Sequence, residues 1–241
     1  MNANFNGLSA LASLAPEEIA ASTQAVMRRV YLWMTAGLLV TALTSFAVLT
    51  SRTLLQFVAQ FWLFFLIGEL ILVLVLSWAV SRLPVLAALG LFFGYAVLNG
   101  ATLTLVILMY TAAQVLSAFI ATACLFGALT IVGYTTKLDL TKLGSLLLMG
   151  LVGLIMGSVV NVFIANSAVD WILTFLGIAI FIGLTAYDTQ RIKTMTVLAL
   201  TQGGADVAAL ETSVGIRGAL ILYLDFINLF LRILRLFGRR R

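Results

Sequence analysis

Long apolar runs, each about as long as a membrane is thick and separated by short polar breaks, repeat along the chain from residue 30 to residue 237. A helix needs roughly 20 residues to cross a hydrocarbon layer of about 30 Å, because each residue adds about 1.5 Å. Seven runs meet that length, near 30–50, 61–80, 85–109, 112–133, 144–164, 168–188 and 214–237. Membrane-barrel strands would alternate in short segments, and these runs do not. The pattern predicts an all-α membrane protein, a seven-transmembrane helix bundle. Before the first run, MNANFNGLSALASLAPEEIAAS lacks a basic start and an apolar core, so no cleavable signal peptide is expected. Pro16, Glu17 and Glu18 read as the first turn of a short interfacial helix that ends at Arg28 and Arg29.

The expected organisation is a cytoplasmic tail over 1–25 and one transmembrane domain over 26–241. The polar stretch from Lys193 to Arg217 reads as a loop between spans six and seven. Gly203 and Gly204 within it mark a turn, since no Lys-Ser/Thr follows to make a phosphate-binding loop. Nothing supports nucleotide or nucleic-acid binding.

Composition sharpens the class. Of 241 residues, 63% are hydrophobic and 10% charged, against about 25% charged in a soluble domain. There is no histidine, which removes Ser-His triads, zinc-protease helices and imidazole switches together. The lone Cys124 cannot form an intrachain disulfide and reads as a small packing residue. Arg28, Arg29, Lys137, Lys142, Arg191, Lys193 and Arg217 fall on one side of the layer if the N-terminus is cytoplasmic, and the opposite loops offer only Arg52. Seven spans place the basic end, with Arg232, Arg235 and Arg239 to Arg241, on the other side, against the charge bias. Either the last segment is re-entrant or the bias loses there; seven spans is the preferred reading, since the bias is counted over whole loops.

Charged groups at membrane depth cost several kcal/mol and tend to face a bundle interior or a watery cavity. Glu69, Asp188 and Asp225 are the carboxylates to explain. At about 100° per residue, Arg217, Asp225, Asn228, Arg232 and Arg235 fall within about 80° of one another. Span seven therefore carries a polar stripe on an otherwise Leu, Ile and Phe helix, which suits a central position. Span six offers Thr174, Thr185 and Asp188 on one side, with Tyr187 beside them and Gly177 and Gly183 for close approach. If the two stripes face each other, Asp188 and Asp225 meet. Two carboxylates in one poorly hydrated site cannot both ionise easily, so they titrate as a unit, a proton sensor without histidine.

Deprotonated, the pair offers hard oxygens to calcium, with water and backbone carbonyls completing the usual six to eight ligands. Plainer alternatives stand beside this. Asp188 could mark the end of span six at the interface, next to Arg191 and Lys193, and Asp225 could form a structural ion pair. Glu69 could be a pathway residue or a protonated acid bonded to backbone. Arg82 reads most simply as a cation reaching from a helix end to the interface.

At "GLTAYDTQRIK" (183–193) and "LYLDFINLFLRILRLFG" (222–238) the chain closely resembles the Bax inhibitor motif family of membrane proteins, in its bacterial branch. "VYLWMTAGLLVTAL" (30–43), "FGALTIVGYTTKLDLT" (126–141) and "GLVGLIMGSVVNVF" (150–163) look like segments of the same branch, so the likeness covers nearly everything after residue 25. It implies seven helices with the last at the centre, in a bacterial inner membrane, and an aspartate pair on helices six and seven that senses pH and gates a calcium leak. Those aspartates match Asp188 and Asp225. An arginine on the family's second helix latches onto the helix-six aspartate, and Arg82 is the candidate here.

The direction of gating stays open on physical grounds. Ionised Asp188 could hold a cationic latch shut, to be released by protonation, or protonation could remove the charge that attracts the ion. No enzyme is expected. Tyr187-Asp188 also fits one half of an intramembrane aspartyl protease, but Asp225 follows Leu222-Tyr223-Leu224 and no Pro-Ala-Leu comes after it. The resemblance further allows a non-transporting regulator, or a substrate, of a membrane-bound quality-control protease, held through the N-terminal 25 residues.

Overall fold

A computed structural model of the chain describes residues 16–79, 83–201 and 207–238. Every regular element among them is a helix: α1 (Pro16–Thr50), α2 (Arg52–Gln60), α3 (Trp62–Ala79), α4 (Val85–Ile107), α5 (Ala112–Thr135), α6 (Thr141–Ile164), α7 (Ser167–Thr201) and α8 (Val207–Phe237). Five of these, α1, α4, α5, α6 and α7, are long and apolar enough to cross a membrane, and α2 with the Trp62–Leu76 part of α3 adds a pair bent by 73°. Helix α8 is not one of the five. Its Ala219, Leu222, Tyr223 and Leu229 are 0% exposed, so protein rather than lipid surrounds much of it.

The exposure pattern is inverted relative to a water-soluble protein. Leu74, Leu86, Met149, Met156, Val162 and Phe163 stand exposed, while Thr41, Ser45, Thr104, Thr122, Thr185, Asp188 and Asp225 are buried. In hydrocarbon this arrangement is favourable, because lipid tails accept the apolar faces and most buried hydroxyls find a partner inside, the Thr130 hydroxyl being an exception. Thr104, Thr122, Thr185 and Thr189 each donate to the carbonyl four residues back.

Three elements depart from the sequence expectation. The short N-terminal helix and span one are a single helix, because Thr23, Val26, Met27, Val30 and Met34 form one buried stripe running past Arg28 and Arg29. The tail boundary expected at residue 25 therefore falls inside a helix. The polar loop from Lys193 to Arg217 is mostly helical: α7 continues to Thr201, with Ile192, Thr196 and Leu200 buried at four-residue spacing, and α8 begins at Val207. The run near 61–80 starts at Trp62 after the sharp bend that joins it to α2. Ser51 caps α2, and the rings of Phe57, Phe61 and Phe65 pack across the bend with centroids 5.0 and 6.0 Å from Phe57. Gly203, Gly204, Arg82 and Arg239 to Arg241 lie outside the described residues.

The chain forms two compact units, each from two separate segments: one runs through Leu105 and resumes over Ile192–Leu220, the other comprises Val106–Arg191 and the chain from Ile221 onward. In the first, α1 and α4 cross closely at Gly100, where any Cβ would strike Thr41. Thr41 donates to the Ala96 carbonyl (3.0 Å) and Ser45 to the Gly100 carbonyl (2.6 Å). In the second, α5 meets α7 at Gly133, where a Cβ would overlap the Ala186 carbonyl, and α6 meets α7 where the Tyr187 ring lies over Gly144.

Candidate functional site

Asp188 of α7 and Asp225 of α8 both belong to the second unit and are 8% and 5% exposed. Their side chains lie within hydrogen-bond reach of each other. Two ionised carboxylates only accept, so this bond exists only when one of the pair carries a proton. Oδ2 of Asp225 is buried with no donor among the described residues. The nearest cation recorded for the pair is Arg191, whose Nη1 stands 4.0 Å from Asp188 Oδ1, one turn along the same helix. Arg191 is half-exposed, and at that distance and exposure an ion pair adds about 1 kcal/mol at most. The aspartates thus depend chiefly on each other.

Neighbouring contacts fix this geometry. Phe226 packs between Phe119 and Phe126 of α5, with centroids 5.7 and 5.5 Å away, which sets the rotation of α8 about its axis. Tyr187 and Ala186 seat α7 on the glycines of α6 and α5. Just beyond, Gln190 clamps the loop between α5 and α6: its Nε2 donates to the Leu138 carbonyl (2.7 Å) and its Oε1 accepts from the Leu140 amide (3.0 Å). Asp139 in that loop accepts from the Thr141 amide (2.9 Å), and the Thr141 hydrogen bonds hold its carboxyl below the usual range. We expect Gln190→Ala to lose both loop bonds at a cost of about 1–2 kcal/mol. Hydrogen exchange of the Leu140 amide should accelerate; unchanged protection would mean the clamp holds nothing.

Asp188 does not end its helix, since α7 runs on to Thr201. It lies roughly 32 Å along the helix from Ser167, about one hydrocarbon thickness. Protein buries it there, with the half-exposed Arg191 beside it. The threonines of the α7 stripe turn inward on their own helix: Thr174 donates to the Asp170 carbonyl (2.8 Å) and Thr185 to that of Phe181 (2.8 Å). Asn228 likewise donates to the Leu224 carbonyl (2.8 Å). Among these polar groups, the two aspartates face each other.

Arg232 is half-buried farther along α8, with its guanidinium against Gly177. Glu69 lies in the first unit and accepts a short hydrogen bond from the Thr102 hydroxyl of α4. Its recorded partner is a side chain, where backbone had been the sequence alternative. Among the described residues no three acidic or Cys side chains gather as metal ligands. Sequence reasoning singled out neither Gln190 nor Asp170, whose Oδ1 accepts from Arg235 Nη1 at 2.8 Å. The acid's position at the start of span six, opposite basic residues of span seven, was the available signal.

Comparison with known proteins gives the chain a family. The sequence profile of the family described as inhibitor of apoptosis-promoting Bax1 matches residues 23–241. The inner membrane protein YbhL of Escherichia coli strain K12 is 41% identical over 228 residues, covering 92% of this chain and 94% of YbhL. An uncharacterized protein of Deinococcus radiodurans is 37% identical over 214 residues, covering 89% and 90% of the two chains. One of Rickettsia prowazekii is 36% identical over 217 residues, covering 89% of each. A helical membrane chain matched over nine-tenths of its length in this way belongs to the Bax inhibitor motif family.

Proposed function

We propose that the protein is a proton-regulated leak for calcium or another cation, gated by Asp188 and Asp225, in a bacterial inner membrane and without enzymatic activity. The observation that carries this reading is the burial of two mutually dependent carboxyls between α7 and α8. With both ionised, the pair repels itself and draws cationic groups such as Arg191 inward. Uptake of one proton relieves the repulsion and frees those groups, which is the opening step. In the open, one-proton state the pair keeps a single negative charge, and its carboxyl oxygens offer a passing cation hard ligands while water completes the shell. In this reading α1, the bent α2–α3 pair, α4, α5, α6, α7 and α8 make seven spans, the N-terminus is cytoplasmic, and Arg82 is the candidate latch.

The test is purified protein in dye-loaded liposomes. Calcium flux is expected to rise as the pH falls from about 8 to 5, the range over which a buried carboxyl pair exchanges its proton. Vesicles that pass no calcium, or pass it equally across that range, overturn the proposal.

A further inference from the structure

A second polar site lies in the same unit, at the start of α7. Where α6 ends and α7 begins, a cavity of about 1080 Å³ opens, and its charged lining consists of Asp170, Arg232 and Arg235. Asp170 is matched by Arg235 at 2.8 Å. The guanidinium of Arg232 has no hydrogen bond or ion pair with the described residues, although Asp170 also attracts it, and it lies against Gly177, where a Cβ would come within 2.9 Å of its Nε. The lining therefore carries one uncompensated positive charge.

The wall opposite is preformed. Ala165 adopts a left-handed conformation (φ 53°), and its amide donates to the Asn161 carbonyl (2.8 Å). Asn161 Oδ1 accepts from the Asn166 amide (3.2 Å), and Asn166 Oδ1 caps the amides of Ala168 and Val169 (2.9 and 3.3 Å). With both amide oxygens engaged, the NH2 groups of Asn161 and Asn166 are the ends left to donate. Trp171, stacked on Phe175 (5.8 Å between centroids), also lines the cavity. A tryptophan at a helix end beside a basic cavity marks the depth at which lipid headgroups lie.

From this geometry we infer that the cavity at the head of α7 binds a phosphate group, carried on an anionic lipid headgroup or free in solution, with Arg232 as its charged anchor. The planar fork of a guanidinium matches two phosphate oxygens, and the asparagine amides supply neutral donors around it. The site is distinct from the aspartate pair, which lies about 27 Å farther along α7.

The test uses full-length protein in detergent, with phosphatidylglycerol and inorganic phosphate as separate probes and phosphatidylcholine as the neutral control. Native mass spectrometry counts retained lipid, and thermal midpoints follow added phosphate. Phosphatidylglycerol retained in preference to phosphatidylcholine, and not displaced by phosphate, identifies a headgroup site. Stabilisation by phosphate alone identifies a soluble-anion site. Either affinity should fall about tenfold or more in Arg232→Gln. Gly177→Ala keeps every charge but displaces the guanidinium, so it should weaken the same binding even if Arg232→Gln fails to fold. Wild-type protein that binds neither probe, or folded variants that bind as the wild type does, overturn the inference.

Discussion

Asp225→Asn is expected to hold calcium flux at a constant level across about pH 5 to 8, where flux through the wild type should change about tenfold or more. Asparagine has the shape of the protonated acid and donates permanently to Asp188. The variant pair therefore keeps the hydrogen bond and the single negative charge of the one-proton state, but cannot leave it. Flux should settle near the acid level of the wild type, within about twofold, because charge and geometry match that state. Asp188→Asn should act alike, since each aspartate is the other's recorded hydrogen-bond partner. The double variant should change the pH profile no further than either single one, because both remove one coupled unit. A single variant that retains the wild-type profile would transfer the sensor to another group and sink the gating account.

Gly133→Ala should be the most damaging methyl-sized change in the second unit. A Cβ there would overlap the Ala186 carbonyl, and backbone cannot swing aside as a flexible side chain can. Relief requires α5 and α7 to separate, at a cost of about 3 kcal/mol from overpacking and lost contact. At Gly144 the obstruction is the Tyr187 ring, which can turn away, so Gly144→Ala should cost about 1 kcal/mol. Unfolding in mixed detergent would measure both, and equal costs would show that the α5–α7 contact yields as easily as the ring does.

Much of the candidate site was legible in the chain because carboxylates are rare in hydrocarbon. Asp225 stands alone among Leu, Phe and Ile, and a helical wheel brought it onto the same face as Arg232 and Arg235. The pairing with Asp188 followed from two stripes that needed partners. Hydropathy missed what occurs away from the membrane centre. The continuation of α7 to Thr201 depends on burying Ile192, Thr196 and Leu200 against protein, and a run interrupted by Arg191, Lys193 and Thr194 scores as polar. The same holds for α1 before Arg28. The bend after Gln60 contains neither proline nor glycine, so no local signal announced it. Gln190 and Gly133 act through partners about fifty residues away, which a single sequence does not reveal.

The hydrogen bond between Glu69 and Thr102 constrains how the chain is made. The two residues are 33 positions apart, on α3 and α4. During synthesis Glu69 is made before Thr102, its partner. A lone carboxyl near the middle of an 18-residue helix is costly to release into lipid. Entering together as a hairpin, the two helices would bring the Glu69 carboxyl into lipid with its partner already beside it.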